Sequence, residues 1–393
     1  MIDYKDIKGI ELEVSSLCNA LCPQCGRRWW GGVKNPVLVE KYITLQNIKD
    51  WFSVDFIKQI HRVEMCGNYG DAMTNPDLVP ILQYIRSINS SIRFHMNTNA
   101  SGRDAQFWRD LGEIFKENGV LVFSVDGLED TNWIYRKGTH WDKIMTAMTN
   151  YISTGARARW EFLVFRHNQH QIEEARELSK ELGFEMFSPK RAMGFVEENN
   201  EYNMHVRGTE GEYEYTIKPP IDVKTKNLDS RQDNRNLGKG EYYINSEENP
   251  NLKLGHIKDI KLQLEKKSQD IELWPKDKFD LTGPVSPHEK KLGKVDIQCQ
   301  AINKSHLFIN SKGYVFPCCW TASQYEQPDS DLSLPLKNFI DGYGKEKISL
   351  HHTSLKDIID GDMYTNKWIE SFKDRDIRNK RLKVCSMFCG VEA

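Results

Sequence analysis

Ser16-Leu17-Cys18-Asn19-Ala20-Leu21-Cys22-Pro23-Gln24-Cys25-Gly26-Arg27 is the stretch on which the reading of this 393-residue chain turns. It follows directly on Ile10, Leu12 and Val14, which alternate like one face of a β-strand. The spacing is C-x3-C-x2-C. Thiolates so placed on a short loop can converge on one face of a cubane iron–sulfur cluster. Three cysteines ligate three irons and leave the fourth open to a substrate or cofactor. A structural zinc site wants four closed ligands, and no fourth Cys or His lies in the same loop.

Outward from this loop, the other six of nine cysteines are unevenly spread: Cys66 stands alone, and Cys299, Cys318, Cys319, Cys385 and Cys389 fall in the last quarter. A disulfide framework suits short secreted chains, whereas clustered thiols in a long chain point to metal sites. Cys66 is expected to be a buried, apolar-like thiol. With 28% charged residues and a net charge of −2, there is no electrostatic case for nucleic acid or an anionic membrane as the main partner. No apolar run approaches the roughly 20 residues of a bilayer span. The N-terminus, Met1 to Val14, lacks a basic start followed by an apolar stretch, so a cytoplasmic location is the default expectation.

Residues 8–190 alternate strand-like runs with amphipathic helical patterns. Strands are expected at Ile10–Val14, Arg62–Cys66, Ile92–Asn97, Val120–Val125, Trp160–Phe165 and Phe184–Phe187. Helices are expected at Pro76–Ile88, Ala105–Asn118, Trp141–Thr154 and Gln171–Leu182, the last stopped by Gly183. Such alternation argues for an α/β fold with a parallel sheet, open or curved into a partial barrel. Residues 195–295 are rich in Asn, Asp, Lys and Glu. They read either as a solvated, loop-rich insertion or as a cover over the active site. Order returns with a hairpin, His306–Asn310 and Tyr314–Pro317 around Ser311-Lys312-Gly313, and a helix over Ser354–Phe372. The division expected is 1–194, 195–295 and 296–393.

The Cys18–Cys25 stretch resembles the radical S-adenosylmethionine (SAM) superfamily. The resemblance implies a partial (β/α)6 barrel, a 4Fe–4S cluster on Cys18, Cys22 and Cys25, and SAM on the open iron. In that family reduction of the cluster cleaves SAM to a 5′-deoxyadenosyl radical that abstracts a substrate hydrogen. The position before the third cysteine, often aromatic there, is Gln24. Later motifs follow in family order. Gly70 and Asp71, within Cys66-Gly67-Asn68-Tyr69-Gly70-Asp71-Ala72, stand where a Gly-Gly-Glu-Pro motif holds the SAM amine, with aspartate for glutamate. Asp71 also fits a tight turn into a helix capped near Asn75. Asn97 and Asn99 resemble a Thr-Asn-Gly stretch. Ser124, Asp126 and Arg136 stand where relatives contact the SAM carboxylate and ribose, a task that suits a bidentate guanidinium. Asn168 reads either as an adenosine contact or as a helix cap.

Cys299, thirteen residues, Gly313, four residues, Cys318, and then Cys385-x3-Cys389 resemble the twitch domain, a short relative of the SPASM domain. That implies a second 4Fe–4S cluster with all four ligands supplied by cysteine, and an electron-transfer role. Cys319 can exchange with Cys318 in this reading, and a four-cysteine zinc site stays open. The activity implied is oxidation of a small-molecule substrate, with flavodoxin or ferredoxin as electron donor. The alternatives are modification of a ribosomal peptide or protein, a non-catalytic zinc-stapled binding protein, and a protein that binds SAM without turnover.

Overall fold

A computed structural model of the chain describes residues 2–198, 201–221, 287–377 and 381–391. The chain divides into two compact units. One comprises Met1–Leu17, Asn35–Met96 and Pro275–Ala393, the other Cys18–Lys34 and Asn97–Trp274. The division is discontinuous in sequence and cuts through the first cysteine motif's neighbourhood at Leu17/Cys18.

Six strands lie near their expected positions: β1 (Gly9–Leu12), β2 (Arg62–Met65), β3 (Arg93–Thr98), β4 (Gly119–Ser124), β5 (Ala158–Val164) and β6 (Met186–Arg191). The last starts two residues later than Phe184, because the Phe184 N–H is committed to Ser179 O at 2.9 Å and closes the preceding helix. Three further strands, β7 (Val196–Glu198), β8 (Glu201–Arg207) and β9 (Tyr213–Ile217), occupy the polar insertion. The hairpin is β10 (His306–Ile309) and β11 (Val315–Phe316).

In the first unit β1 pairs in parallel with β2, β2 with β3, and β1 on its other edge with β10, on which β11 folds back antiparallel. The C-terminal hairpin thus extends the parallel ladder of the N-terminal strands. In the second unit β4, β5 and β6 pair in parallel. The helices Leu78–Ile88, Ala105–Phe115, Trp141–Ile152 and Ile172–Leu182 follow β2, β3, β4 and β5 in turn. Each buries one apolar stripe, such as Leu78, Ile81, Leu82 and Ile85. Gly183 ends the last of them at φ +90°, the left-handed stop the sequence signalled. This α/β alternation is the architecture the hydrophobic periodicity implied.

The reading of 195–295 needs correcting in part. Residues 196–217 form a three-stranded antiparallel sheet ordered β7-β8-β9. Its Met204, Val206, Tyr215 and Ile217 are buried with Ala20, Cys22, Ile134, Tyr135, Leu163 and Phe165 in one apolar cluster. Residues 196–217 are therefore folded and packed rather than a solvated linker. Residues 222–286, most of the remaining insertion, lie outside the described residues. The helix expected over Ser354–Phe372 is broken into Leu355–Asp360, a π-turn at Met363–Lys367, and Trp368–Lys373. Among the described residues no helix is long and apolar enough to cross a membrane.

Candidate functional site

The cysteine loop is built by tight local turns. Cys25 donates its N–H to Cys22 O at 3.0 Å, and Arg28 donates to Cys25 O at 3.0 Å. Buried Arg27 reaches back to Ala20 O at 2.8 Å. Leu21 N–H donates to Lys137 O at 2.7 Å, tying the loop to the segment after β4. The thiols therefore sit on a frame fixed by backbone bonds.

Polar donors surround two of the three sulfurs. Cys18 Sγ receives the Ala20 N–H and Asn99 Nδ2, each at 3.4 Å. Asn99 is held in turn by Asn19 Oδ1 at 3.1 Å and by the Ser101 N–H at 2.9 Å. Arg136 Nη1 lies 3.8 Å from Cys22 Sγ, while its Nε donates to Asp126 Oδ2 at 2.6 Å. The fully buried Asp126 also accepts the Leu163 N–H at 2.6 Å. Burial raises the Cys22 thiol pKa, and the Arg136 charge opposes that rise. Asp126 and Cys22 keep Arg136 charged against its burial. A metal thiolate must lose its proton, and a guanidinium beside it favours that form.

The structure thus brings Cys18, Cys22, Cys25, Asn99, Asp126 and Arg136 into one unit. Ser124 lies at the end of β4, half-buried and in register with Glu161. Asn97 is half-buried on β3. Asn168 is fully buried; its Nδ2 donates to Asp126 O and Leu163 O at 2.8 Å, and its Oδ1 accepts the Phe165 N–H at 2.7 Å. Those bonds tie the end of β5 to the end of β4, so Asn168 is a brace for Asp126. Its side chain gives the following short helix no cap bond. Gln24, in the position the family often fills with an aromatic ring, accepts from Tyr135 Oη at 3.1 Å and donates to Met193 O.

Gly70 and Asp71 belong to the other unit. Asp71 is buried and its Oδ1 accepts the Met73 N–H at 3.1 Å, capping the turn Ala72–Thr74. A Cβ on Gly70 would stand 1.9 Å from Ser15 O, so only glycine lets the loop lie against the exit of β1. Glu13, whose role the sequence did not reveal, fixes this loop. It is buried, and its Oε1 accepts the Tyr69 N–H at 2.6 Å and the Gly70 N–H at 3.3 Å. Burial, with Glu326 nearby, pushes the Glu13 carboxyl up to about 8. A strictly alternating apolar pattern hid Glu11 and Glu13, which read as the solvent face of β1 but lie on a face that is also covered. Cys66 is exposed, correcting the expectation of a buried thiol: it lies just past β2, where the chain leaves the sheet.

The C-terminal thiols meet in a second pocket. Cys299, Cys318, Cys385 and Cys389 line it together with Ile297, Pro317 and Val384. The rings of Trp320 and Phe388, stacked with centroids 3.9 Å apart, form another part of the wall. Two features assemble it. Residues 296–297 pair with 390–391, and the Gln298 N–H donates to Cys389 O at 2.9 Å, which brings Cys299 beside Cys389. Fully buried Arg381 binds Ser386 Oγ at 2.7 Å, the Phe372 and Asp374 carbonyls at 2.8 Å each, and Val295 O. It locks the helix that carries Cys385 and Cys389. Cys318 faces the pocket, and burial pushes its thiol up to about 12. Cys319 is absent from that lining; it hydrogen-bonds Glu11, and burial raises its pKa. Adjacent residues at a helix start point about 100° apart, so one of this pair must face away. Among the described residues, no three His, Cys, Asp or Glu side chains converge on a single-ion site.

No family model and no curated protein matches the chain. Similar solved structures include SuiB of Streptococcus suis bound to S-adenosylmethionine. It is 14% identical over 96% of this chain and 76% of that chain, with a TM-score of 0.44. They also include anSMEcpe with bound AdoMet, 12% identical over 97% of this chain and 94% of that one, TM-score 0.46. BtrN in complex with AdoMet and 2-DOIA matches 30% of this chain and 45% of its own, at 17% identity and a TM-score of 0.24.

Proposed function

We propose that the chain is a radical SAM oxidoreductase with the partial-barrel core and twitch domain of that family. Cys18, Cys22 and Cys25 hold a 4Fe–4S cluster with one open iron, and Cys299, Cys318, Cys385 and Cys389 hold a second, closed one. The carrying observation is the first loop. Three thiols stand there without a fourth local ligand, two of them met by Asn99 and Arg136 at sulfur hydrogen-bond distance.

A cluster and SAM bound there would supply the radical chemistry that removes a hydrogen atom from substrate. The chain's residues prepare for that chemistry. Arg136 balances thiolate charge and, held by Asp126, presents a guanidinium suited to a carboxylate. Ser124 and Asn97 join it as polar contacts at strand ends. Met204, Val206, Tyr215 and Ile217 wall the Cys22 side with apolar surface, which excludes water from a reactive site. At the second site Cys299, Cys318, Cys385 and Cys389 would fill every iron of a cluster, which would then serve to carry electrons rather than to bind substrate.

The reading covers two substrate classes, a small molecule and a peptide. The test therefore supplies both a small-metabolite pool and a peptide pool to anaerobically reconstituted protein with dithionite or reduced flavodoxin. 5′-Deoxyadenosine should form, with deuterium from a labelled substrate transferred into it. Zinc in place of iron, or unchanged turnover in the Cys18/Cys22/Cys25→Ala variant, removes the proposal.

A further inference from the structure

The pocket lined by the four C-terminal cysteines has a fifth polar wall residue. Trp368 lines it and is 4% exposed, and its indole Nε1–H is buried with no hydrogen-bond partner among the described residues. Tyr364, one turn earlier, stacks on it with centroids 6.3 Å apart and rings 13° from parallel. Its hydroxyl is likewise buried and unpartnered. A buried donor without an acceptor is costly, and native proteins leave very few. Two in neighbouring rings, beside four thiols, call for an acceptor between them.

The backbone places these rings deliberately. Met363–Lys367 is a π-turn joining two short helices, a geometry found mostly at functional sites. Tyr364 and Trp368, four residues apart and both buried, share one face of this segment, and Phe339 meets Trp368 edge-on at 5.3 Å to fix the indole. The rest of the lining is apolar or sulfur: Ile297, Pro317, Val384 and the Trp320–Phe388 stack. Of the neutral donors in this wall, Thr321 is engaged with Cys318 O at 2.8 Å, Trp320 is 42% exposed, and Trp368 carries the buried one.

We propose that Trp368 donates its indole N–H to the sulfur of a cluster held by Cys299, Cys318, Cys385 and Cys389, with Tyr364 as a second donor, and that these bonds set the cluster's reduction potential. The inference rests on the cluster reading of these four thiols. A hydrogen bond to sulfur is stronger when the cluster carries its extra electron, so it stabilises the reduced form and raises the potential. Neither residue is a ligand. Their effect is on how readily the site accepts an electron.

The experiment uses the full-length chain carrying Cys18/Cys22/Cys25→Ala, so that only the second site reports. After anaerobic reconstitution, iron is counted and the cluster is titrated redoxically by EPR, with ENDOR in H2O and D2O. Trp368→Phe is compared with 3-benzothienylalanine at 368, which keeps the ring shape and replaces N–H by sulfur, and with Tyr364→Phe. At a fixed solution potential the reduced-to-oxidised ratio should fall about tenfold in both Trp368 replacements, a midpoint about 59 mV lower for one electron. One exchangeable-proton coupling should vanish. Full iron with unchanged midpoint and couplings in the benzothienylalanine protein overturns the donor role. Absence of iron in the parent variant instead overturns the cluster reading beneath it.

Discussion

Replacing Arg136 tests the first site at its most buried charge. Asp126 is fully buried, and of its two carboxylate oxygens one takes the Arg136 Nε at 2.6 Å and the other a single amide, Leu163 N–H. Arg136→Met leaves that carboxylate with one donor and no counter-charge. Two unit charges about 4 Å apart interact by about 4 kcal/mol at an effective dielectric near 20, and stripping one partner from a buried pair costs about 3–5 kcal/mol. Urea unfolding of the reduced apoprotein should show a loss in that range, with an unchanged m-value showing that the same transition is read. Asp126→Asn keeps shape and most hydrogen bonding, so the double variant should lose less than the two singles combined, by about 2–3 kcal/mol of coupling. Arg136→Lys keeps the charge but cannot span Asp126 and Cys22 with one ammonium. It should fold, keep its iron, and bind SAM at least about tenfold more weakly, the loss of one charge-assisted bond. A coupling below about 0.5 kcal/mol, or full SAM affinity in the lysine variant, would show Arg136 to be an ordinary packed residue.

At the second site, Cys318→Ser should lose the second cluster while Cys319→Ser keeps it. Iron analysis reads this as about four irons against about eight, because only Cys318 lines the pocket. Gly70→Ala should destabilise the protein by at least about 1–3 kcal/mol in denaturant, since its Cβ would meet Ser15 O at 1.9 Å; an unchanged midpoint would mean the loop has room. Glu13 makes stability fall with pH. Its folded pKa is raised from 4.5 to about 8, so the folded state keeps a proton the unfolded state releases. The stabilisation is complete below about pH 4.5 and is lost as pH rises through 8, at up to about 1.4 kcal/mol per unit. Glu13→Gln retains the acceptor for Tyr69 and Gly70, and a plot of stability against pH should flatten by that amount.

How much was legible in sequence depended on whether a residue's partner lay nearby along the chain. The strands, helices and Gly183 stop were readable because periodicity and capping are local. The cysteine sets were readable because spacing encodes them. β8 and β9 were also written in the sequence: Met204 and Val206, then Tyr213, Tyr215 and Ile217, stand two apart as strand residues do. The Asn- and Glu-rich composition around them masked that alternation. Glu13, Arg381 and the Asp126–Arg136 pair were not legible as structural devices. Each polar group's partner comes from another strand or loop, and only folding supplies the burial that makes it matter. The exposure of Cys66 and the choice between Cys318 and Cys319 were illegible for the same reason, since exposure and direction are tertiary facts.

The two thiol sites differ in the donors that face them, and that difference orders their chemistry. Around the first loop the donors include a full positive charge, Arg136, and primary and backbone amides. They suit a site that must hold thiolates and also a charged ligand whose carboxylate needs a guanidinium. Around the second, the described lining is apolar, with neutral ring donors and no charged group. A closed cluster in such a wall gains nothing from binding anions. Its reduction is governed by burial and by neutral hydrogen bonds to sulfur. A charged, ligand-accepting site and a neutral, ligand-excluding one are what an enzyme needs if one cluster begins the reaction and the other removes an electron. The Cys318 and Trp368 variants probe the second half of that arrangement, and the Arg136 cycle probes the first.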